Sequence, residues 1–302
     1  MFCFNILDIE FILGEEKIDI ENTFQAGRKV IEATGIPFVY ETKRKAEDLA
    51  TEASQKLLKK INITPNCIIY VTQSQEDILP GSGTILHRNL NLPNSTAIFD
   101  LNAGCSGFVQ ALIMASSLIN IYENILIVCA DTYRKKLAKN DRSTNAVFSD
   151  GASAVFVQKG KNLVISKIFN QTYSKGREIL NQKKNDTNES TLYMSGRELW
   201  DYTRVNIVPE IKKSINELNY NDKIIDIFIH QASKLVFDGI KNEIKENVLF
   251  HKNYNLRGNT VSSTLPILLK DSGFNFNKNF ILSGFGVGIF SYTVAIKKNK
   301  NI

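Results

Sequence analysis

The sequence predicts an α/β fold with a largely parallel sheet. Short, β-rich apolar runs recur along the 302 residues, and helical patterns lie between many of them. Most of the runs are continuously apolar rather than alternating in polarity, which is typical of strands buried on both faces. Strands that alternate with helices indicate a layered α/β architecture.

Six segments are predicted as strands. They cover residues 67–72, 96–101, 124–130, 152–158, 224–230 and 279–284. Helices are predicted over 46–61, over 108–121 and from Ser195 onward, where Ser195 and Glu198 can form a capping box.

The predicted strands fall into two series, which suggests two halves of similar layout. The first series ends near residue 158, and the polar segment 170–190 is predicted as a long loop or excursion. We therefore expect an N-terminal half over 1–160 and a C-terminal half over 161–302.

Composition excludes several classes of protein. With 43% hydrophobic and 23% charged residues, the chain can bury a large core. No apolar run reaches the roughly 18 residues that span a membrane, and the N-terminus lacks the basic start of a signal peptide. Four scattered cysteines predict neither a disulfide framework nor a zinc site. We expect a cytoplasmic protein with reduced thiols and no bound metal.

The net charge of +6 comes with basic clusters at 41–48, 134–139 and 297–300. No long basic stripe is interleaved with aromatic residues, so nucleic-acid binding is not expected. A solvated surface, or a docking face for an acidic partner, accounts for the excess charge.

Cys105 lies at the junction between the predicted strand 96–101 and a predicted helix that begins near Ser106. Unpaired N–H groups at a helix start lower the pKa of a thiol and raise its thiolate fraction. The small neighbours Gly104 and Gly107 would let a substrate reach the sulfur. A buried cysteine that only packs fits the same pattern, so the residues leave both interpretations open.

Two further polar residues lie at element boundaries. His230 ends the predicted strand 224–230, and ligands usually bind where parallel strands end. Asn259 follows Gly258 and precedes small hydroxyl residues, so it fits either a turn or a hydrogen-bond donor. The other two histidines, His87 and His251, are expected at the surface.

Glycines at positions 284, 286 and 288 form a GxGxG pattern with strand-like residues on both sides. This is not the GxGxxG fingerprint of a dinucleotide site. A loop that presents backbone N–H groups is the more natural interpretation.

Together these segments resemble the thiolase superfamily, and most closely the β-ketoacyl-acyl carrier protein synthase III family. The resemblance spans most of the chain in the family's order and spacing. The matching segments are 34-TGI-36, 100-DLNAGCSGF-108, 148-FSDGASA-154, 193-YMSGRELW-200, 229-IHQAS-233, 257-RGNTVSS-263 and 284-GFGVG-288.

The resemblance implies a thiolase-like, five-layered αβαβα fold made from two similar halves, and a homodimer. It also implies a mechanism in which an acyl thioester, usually acyl-CoA, acylates Cys105. Malonyl-acyl carrier protein then enters, and His230 and Asn259 hydrogen-bond its thioester carbonyl as CO2 leaves. The resulting carbanion attacks the acyl group and gives a 3-oxoacyl product.

The family pattern assigns further roles. The oxyanion at Cys105 would be held by the N–H groups of Cys105 and Val287, with Arg142, Leu79 and Gly286 contacting CoA or the acyl group. No metal or redox cofactor is implied, since acyl-CoA is a substrate.

Four departures from the family pattern concern the donor. Lys29 and Ala33 replace a Trp and an Arg that hold CoA, Lys234–Leu235 replaces an Arg used in carrier-protein docking, and Leu79 replaces a Phe. The donor is therefore either acyl-CoA held differently or an acyl-carrier protein.

Two alternative functions keep the same fold. One is a non-decarboxylating acyltransferase that passes the acyl group from Cys105 to a hydroxyl or amine. The other is an inactive partner subunit, which the presence of Cys105 opposes. Retention of both His230 and Asn259 favours the condensing enzyme.

Overall fold

The protein is described by a computed structural model of the chain. It describes residues 2–24, 27–138, 141–184, 190–218, 224–286 and 290–299. The strands are β1 (Phe4–Leu13), β2 (Glu16–Asp19), β3 (Phe38–Glu41), β4 (Cys67–Val71), β5 (Ala97–Leu101), β6 (Asn124–Asp131), β7 (Gly151–Lys159), β8 (Leu163–Thr172), β9 (Leu180–Lys184), β10 (Ser190–Met194), β11 (Ile225–Ile229), β12 (Val248–His251), β13 (Phe280–Gly286) and β14 (Phe290–Lys298).

The described helices include three long ones that pack on the sheet and several shorter ones. They are α1 (Ile20–Thr23), α2 (Gly27–Thr34), α3 (Ala46–Ile61), α4 (Gly83–Asn89), α5 (Gly107–Leu118), α6 (Arg142–Asn145), α7 (Gly196–Leu218), α8 (Lys234–Glu243), α9 (Tyr254–Arg257) and α10 (Thr264–Asp271). None of these described helices has both the length and the apolar character needed to cross a bilayer.

Ten strands form one continuous array in the order β12-β11-β13-β14-β8-β1-β7-β6-β4-β5. The strand order is symmetric about its centre. Outward from the centre, one group runs β8, β14, β13, β11 and β12, and the other runs β1, β7, β6, β4 and β5 in the corresponding positions. The two groups of five join through a single register pair, Phe4 with Leu163. The expected boundary near residue 160 falls between β7 and β8.

Helices lie on both faces of each five-stranded group. The outer helix α3 packs on β1, β6 and β7, and the outer helix α7 packs on β8, β13 and β14. Between the groups, α5 contacts β4, β6, β13 and β14, while α10 contacts β1, β7 and β11. The result is a five-layered αβαβα arrangement, and the predicted fold class is confirmed.

The central layer explains why α5 and α10 are apolar on most of their surface. In α10 all six residues from Thr264 to Leu269 are buried. The outer helix α3 instead has one apolar face, with acids in its first turn, lysines in its last and Asn62 in the left-handed region as its C-cap. Helices covered on both sides need apolar residues all round, whereas outer helices need one stripe.

The prediction of a largely parallel sheet is wrong. Only the pairs β4–β5, β4–β6, β11–β12 and β11–β13 are parallel, and the five pairs around the centre are antiparallel. For the pair β13–β14 the reason lies in the connection, because the few residues between these strands are too short a segment for the crossover that a parallel pair needs. A continuous apolar run indicates burial on both faces but not strand direction.

The expected loop over 170–190 is structured over much of its length. It contains the end of β8, then β9, which pairs antiparallel with β10. Leu180 and Leu192 are buried although their neighbours are polar. Two leucines in a polar segment were too weak a pattern to predict a hairpin, yet they anchor it to the core.

Candidate active site

The three predicted catalytic side chains lie around one cavity. Cys105, His230 and Asn259 all line a space of about 270 Å³. Most of the remaining lining is apolar, and it includes Phe148, Leu180, Met194, Leu199, Val236 and Phe285. Such a cavity suits an acyl chain or another apolar ligand that meets a few polar groups at one end.

Cys105 lies in the turn between β5 and α5, as the sequence predicted. Its side chain is 4% exposed, and α5 begins two residues later at Gly107. Cys105 therefore lies at the N-terminal end of α5, the end of a helix that favours a developing negative charge. The turn is tight, because a Cβ added to Gly104 would lie 2.5 Å from Gln73 Oε1.

Gly286 brings the end of β13 against the cysteine. A Cβ built at position 286 would lie 2.6 Å from Cys105 Cβ and 2.9 Å from Cys105 Sγ, closer than real Cβ contacts come. Gly286 also lines the cavity, where it was predicted to contact substrate. The second predicted oxyanion donor, Val287, lies outside the described residues.

His230 follows directly after β11 and is 2% exposed. Its backbone N–H donates to Ser283 O at 2.9 Å, and the edge of its ring meets Phe285 at 5.6 Å between centroids. Burial lowers the pKa of the ring to about 3. The imidazole is therefore neutral at physiological pH, with one nitrogen that donates and one that accepts.

Gln231 fixes the turn that follows the histidine, and sequence reasoning missed this role. Its Nε2 donates to Ile229 O at 2.7 Å, and its Oε1 accepts from the Asn253 N–H at 3.0 Å. The glutamine is fully buried. The sequence shows that Gln231 follows His230 directly, but no sequence pattern indicated that its side chain would bond Asn253.

Asn259 is held at both its backbone and its side chain. Its N–H donates to Val147 O, and its carbonyl accepts from the Ser149 N–H, both at 2.9 Å. Its Oδ1 accepts from the Val261 N–H at 2.9 Å. Because the amide oxygen is occupied on the protein side, the NH2 group is left to donate to a ligand in the cavity.

The arrangement can stabilise negative charge on a carbonyl oxygen. A neutral imidazole N–H and an amide NH2 are fixed donors, and the apolar walls strengthen their effect on developing charge. The cysteine in the same cavity supplies a nucleophile for a covalent intermediate. Among the described residues, no cluster of histidine, cysteine, aspartate or glutamate could hold a metal ion.

Two predicted substrate contacts, Arg142 and Leu79, do not line the cavity of this chain. Arg142 is exposed, and its neighbour Ser143 lines the cavity. Leu79 is 85% exposed and does not line it. Ala33 and Leu235 line both the cavity and a neighbouring surface groove.

The other two histidines lie away from the cavity. His87 Nε2 bonds Pro93 O at 3.0 Å. His251 is more buried than a surface residue, because it stacks on Phe228 and bonds Asp226 Oδ1 at 2.7 Å.

Known proteins are similar to this chain in sequence and in fold. The sequence profile of 3-oxoacyl-[acyl-carrier-protein (ACP)] synthase III matches residues 99–174, the segment that contains Cys105. The β-ketoacyl-[acyl-carrier-protein] synthase III of Streptococcus agalactiae is 30% identical over 275 residues, which cover 83% of this chain and 84% of the relative. The chain belongs to the β-ketoacyl-[acyl-carrier-protein] synthase III family.

Another synthase III, from Lactococcus lactis, is 27% identical over 82% of this chain and 83% of its own length. The crystal structure of the synthase III from Aquifex aeolicus superposes with a TM-score of 0.87 at 22% identity, covering 98% of this chain and all of that one. The resemblance inferred from the motifs is thus confirmed, and the fold is that of the synthase III family.

Proposed function

We propose that this protein makes 3-oxoacyl-acyl carrier protein from an acyl thioester and malonyl-acyl carrier protein, with loss of CO2. The observation that carries the proposal is the pair of fixed neutral donors, His230 and Asn259, in the same apolar cavity as Cys105. The family of the chain supports the same reaction.

The first half-reaction loads the enzyme. The thiolate of Cys105 attacks the carbonyl carbon of the donor thioester, and the C–S bond to the donor thiol breaks. The charge on the intermediate is stabilised by N–H groups at the start of α5. The donor leaves as a thiolate that takes up the proton Cys105 lost on ionisation, and the acyl group stays on Cys105.

The second half-reaction uses the two donors. The imidazole N–H of His230 and the NH2 of Asn259 bind the thioester carbonyl of the malonyl group. The C–C bond to the carboxylate breaks, CO2 leaves, and the electron pair forms an enolate whose oxygen these donors hold. The enolate carbon then attacks the acyl carbonyl, the C–S bond to Cys105 breaks, and the 3-oxoacyl product is released on its carrier.

A neutral histidine suits this step better than a charged one. Because burial lowers the pKa of His230 to about 3, the ring is neutral, and a neutral imidazole N–H donates a hydrogen bond to the enolate without transferring its proton. The carbanion then attacks carbon rather than taking a proton from a nearby acid.

We propose acyl-CoA or an acyl-carrier protein as donor and no cofactor. A groove beside the mouth of the cavity is lined by Trp200, Lys234 and Asn242 and shares Ala33 with the cavity. The ring of Trp200 supports the binding of a nucleobase and Lys234 that of a phosphate on the donor, although Glu32 and Asp238 also line the groove and the family's usual Trp and Arg are replaced. We further propose a homodimer in the cytoplasm, with Arg142 and Leu79 as substrate contacts.

The test separates the two half-reactions. Incubation with acyl-CoA and acyl-carrier-protein donors of increasing chain length should add the acyl mass to Cys105, measured by intact mass spectrometry, and Cys105→Ala should gain none. Addition of malonyl-acyl carrier protein should release CO2 and form the 3-oxoacyl product.

Asn259→Ala provides the control for the second step. It should still acylate Cys105, but CO2 release should fall about 100-fold or more, as for the loss of one oxyanion donor. A wild-type enzyme that acylates Cys105 yet releases no CO2, and instead transfers the acyl group to a hydroxyl or amine, would replace condensation by the simpler acyltransferase.

A further inference from the structure

The residue that orients Asn259 has an unfavourable backbone conformation. Val261 has φ of +54° and is fully buried. For a β-branched residue this conformation costs about 1–3 kcal/mol and persists only where the surroundings enforce it. The conformation aims the Val261 N–H at Asn259 Oδ1, at 2.9 Å.

The buried carboxylate of Asp131 holds the next residue in place. Ser262 donates to Asp131 Oδ2 through its hydroxyl at 2.5 Å and through its N–H at 3.3 Å. Asp131 is the last residue of β6 and is fully buried.

The other oxygen of this carboxylate accepts hydrogen bonds from two residues that follow β4. Asp131 Oδ1 accepts from the Gln73 N–H at 2.9 Å and from the Ser74 hydroxyl at 3.2 Å. The Ser74 hydroxyl in turn accepts from the Thr132 N–H at 3.0 Å. The aspartate therefore joins the residues after β4 to the loop that contains Asn259.

We propose that Asp131 is a positioning residue for the second half-reaction, acting through Ser262 and Val261 on the amide of Asn259. The carboxylate holds Ser262, Ser262 keeps Val261 in its strained conformation, and the Val261 N–H fixes Asn259 Oδ1. The NH2 group is thereby directed to the malonyl carbonyl. This role rests on the proposed condensing activity.

A carboxylate is required because both of its oxygens accept hydrogen bonds. An asparagine at position 131 has one accepting oxygen, so its NH2 group would face either the Gln73 N–H or the Ser262 N–H. The hydrogen bonds on one side of residue 131 would be lost. Without the bond to Ser262, the backbone of Val261 could relax. A displacement of the amide by about 1 Å can reduce a rate 100-fold.

The experiment compares Asp131→Asn and the milder Ser262→Ala with the wild type in both half-reactions. We expect the rate of Cys105 acylation to stay within about threefold, because the amide of Asn259 takes no part in loading. We expect CO2 release from malonyl-acyl carrier protein to fall at least about tenfold. A matched control is Glu47→Gln, a buried carboxylate in α3 that accepts from the Ser82 hydroxyl at 2.6 Å; both rates should be unchanged.

A double-mutant cycle shows whether the effect passes through Asn259. If Asp131 acts only by orienting that amide, Asp131→Asn combined with Asn259→Ala should release CO2 no more slowly than Asn259→Ala alone. If Asp131 instead supports the fold in general, the loss of CO2 release in the double mutant should equal the product of the losses in the two single mutants.

Three outcomes would overturn the proposal. They are equal losses in both half-reactions, unchanged CO2 release in the folded Asp131→Asn and Ser262→Ala variants, or multiplicative losses in the double mutant. A wild type that releases no CO2 would refute the condensing activity as well, so the wild-type measurement distinguishes the two failures.

Discussion

Gly286 lies so close to Cys105 that no side chain fits between them. A Cβ at position 286 would stand 2.6 Å from the Cβ of Cys105 and 2.9 Å from its sulfur. The end of β13 thus closes one side of the nucleophile, and Cys105 lines the apolar cavity.

We predict that Gly286→Ala strongly slows acylation of Cys105. The added methyl group would have to displace the cysteine or the β13 backbone, and a misplaced nucleophile can lose about 100-fold in rate. The measurement is the rate of mass gain with an acyl thioester, made on a variant whose fold is checked by circular dichroism.

Gly273→Ala is the matched control for this substitution. Gly273 has φ of +60°, so alanine is strained there, but its Cβ would meet nothing within 4 Å. Stability should fall by about 1 kcal/mol without any change in acylation. If Gly286→Ala acylates as fast as this control, the close approach does not matter for the nucleophile.

We predict that His230 makes the protein less stable as the pH falls below about 6.5. Burial lowers the pKa of the folded-state ring to about 3, so the unfolded chain binds more protons between about pH 3 and pH 6.5. The contribution of the neutral histidine is complete above that window and is lost progressively as the pH drops through it.

The pH effect must be measured as a difference between proteins. Burial raises the pKa of Asp131 and Asp150 to about 6, and these groups act in the opposite direction. The free energy of unfolding should be measured in urea for the wild type and for His230→Gln at pH 4.5 and 7.5. The two aspartates are present in both proteins, so their contribution cancels in the difference. The variant should gain about 3 kcal/mol relative to the wild type on going to pH 4.5; an equal difference at both pH values would show that the ring is not held neutral.

The proposed catalytic residues could be singled out in the sequence because they lie at the boundaries of predicted elements. Cys105 precedes α5, and His230 follows β11, so a local pattern in the sequence placed each of them. The supporting residues had no such signal. Asp131 meets Ser262 across 131 positions of the chain, and only the folded structure brings them together.

The missed strands have a similar explanation. β1 contains Asp8 and Glu10, which weaken its apolar pattern. In the fold Lys270 bonds Asp8 at 2.8 Å and Glu10 at 3.1 Å, and these ion pairs make the acids compatible with a strand. Since the lysine lies some 260 positions away, the sequence alone could not reveal the pairing.

We predict that Leu79 lies in a contact between two copies of the chain. Ile78 and Leu79 are 87% and 85% exposed, an unusual pair of apolar side chains at one loop tip. Sedimentation velocity should find a dimer for the wild type, and Leu79→Asp should weaken it because an unpaired carboxylate would be buried. Lys43→Asp is the control for a charge change at another exposed position, and it should leave the dimer intact. A wild type that sediments as a monomer would refute the contact.

We predict that the four cysteines differ sharply in their reaction with iodoacetamide. Cys105 opens on the cavity, and Cys3 is half-buried. Cys67 and Cys129 are fully buried in β4 and β6, and burial raises the pKa of Cys67 to about 12 and that of Cys129 well above its usual value. Since the thiolate is the reactive form, these two should remain unmodified at pH 7.5.

Peptide mass spectrometry after limited alkylation can locate each modified thiol. Alkylation should occur at Cys105 and Cys3, and prior incubation with an acyl donor should protect Cys105 while leaving Cys3 reactive. Protection of both thiols would indicate a general change in accessibility instead of an acyl-enzyme. Modification of Cys67 or Cys129 in the folded protein would contradict their burial, because a reagent can reach these sulfurs only when the surrounding strands open.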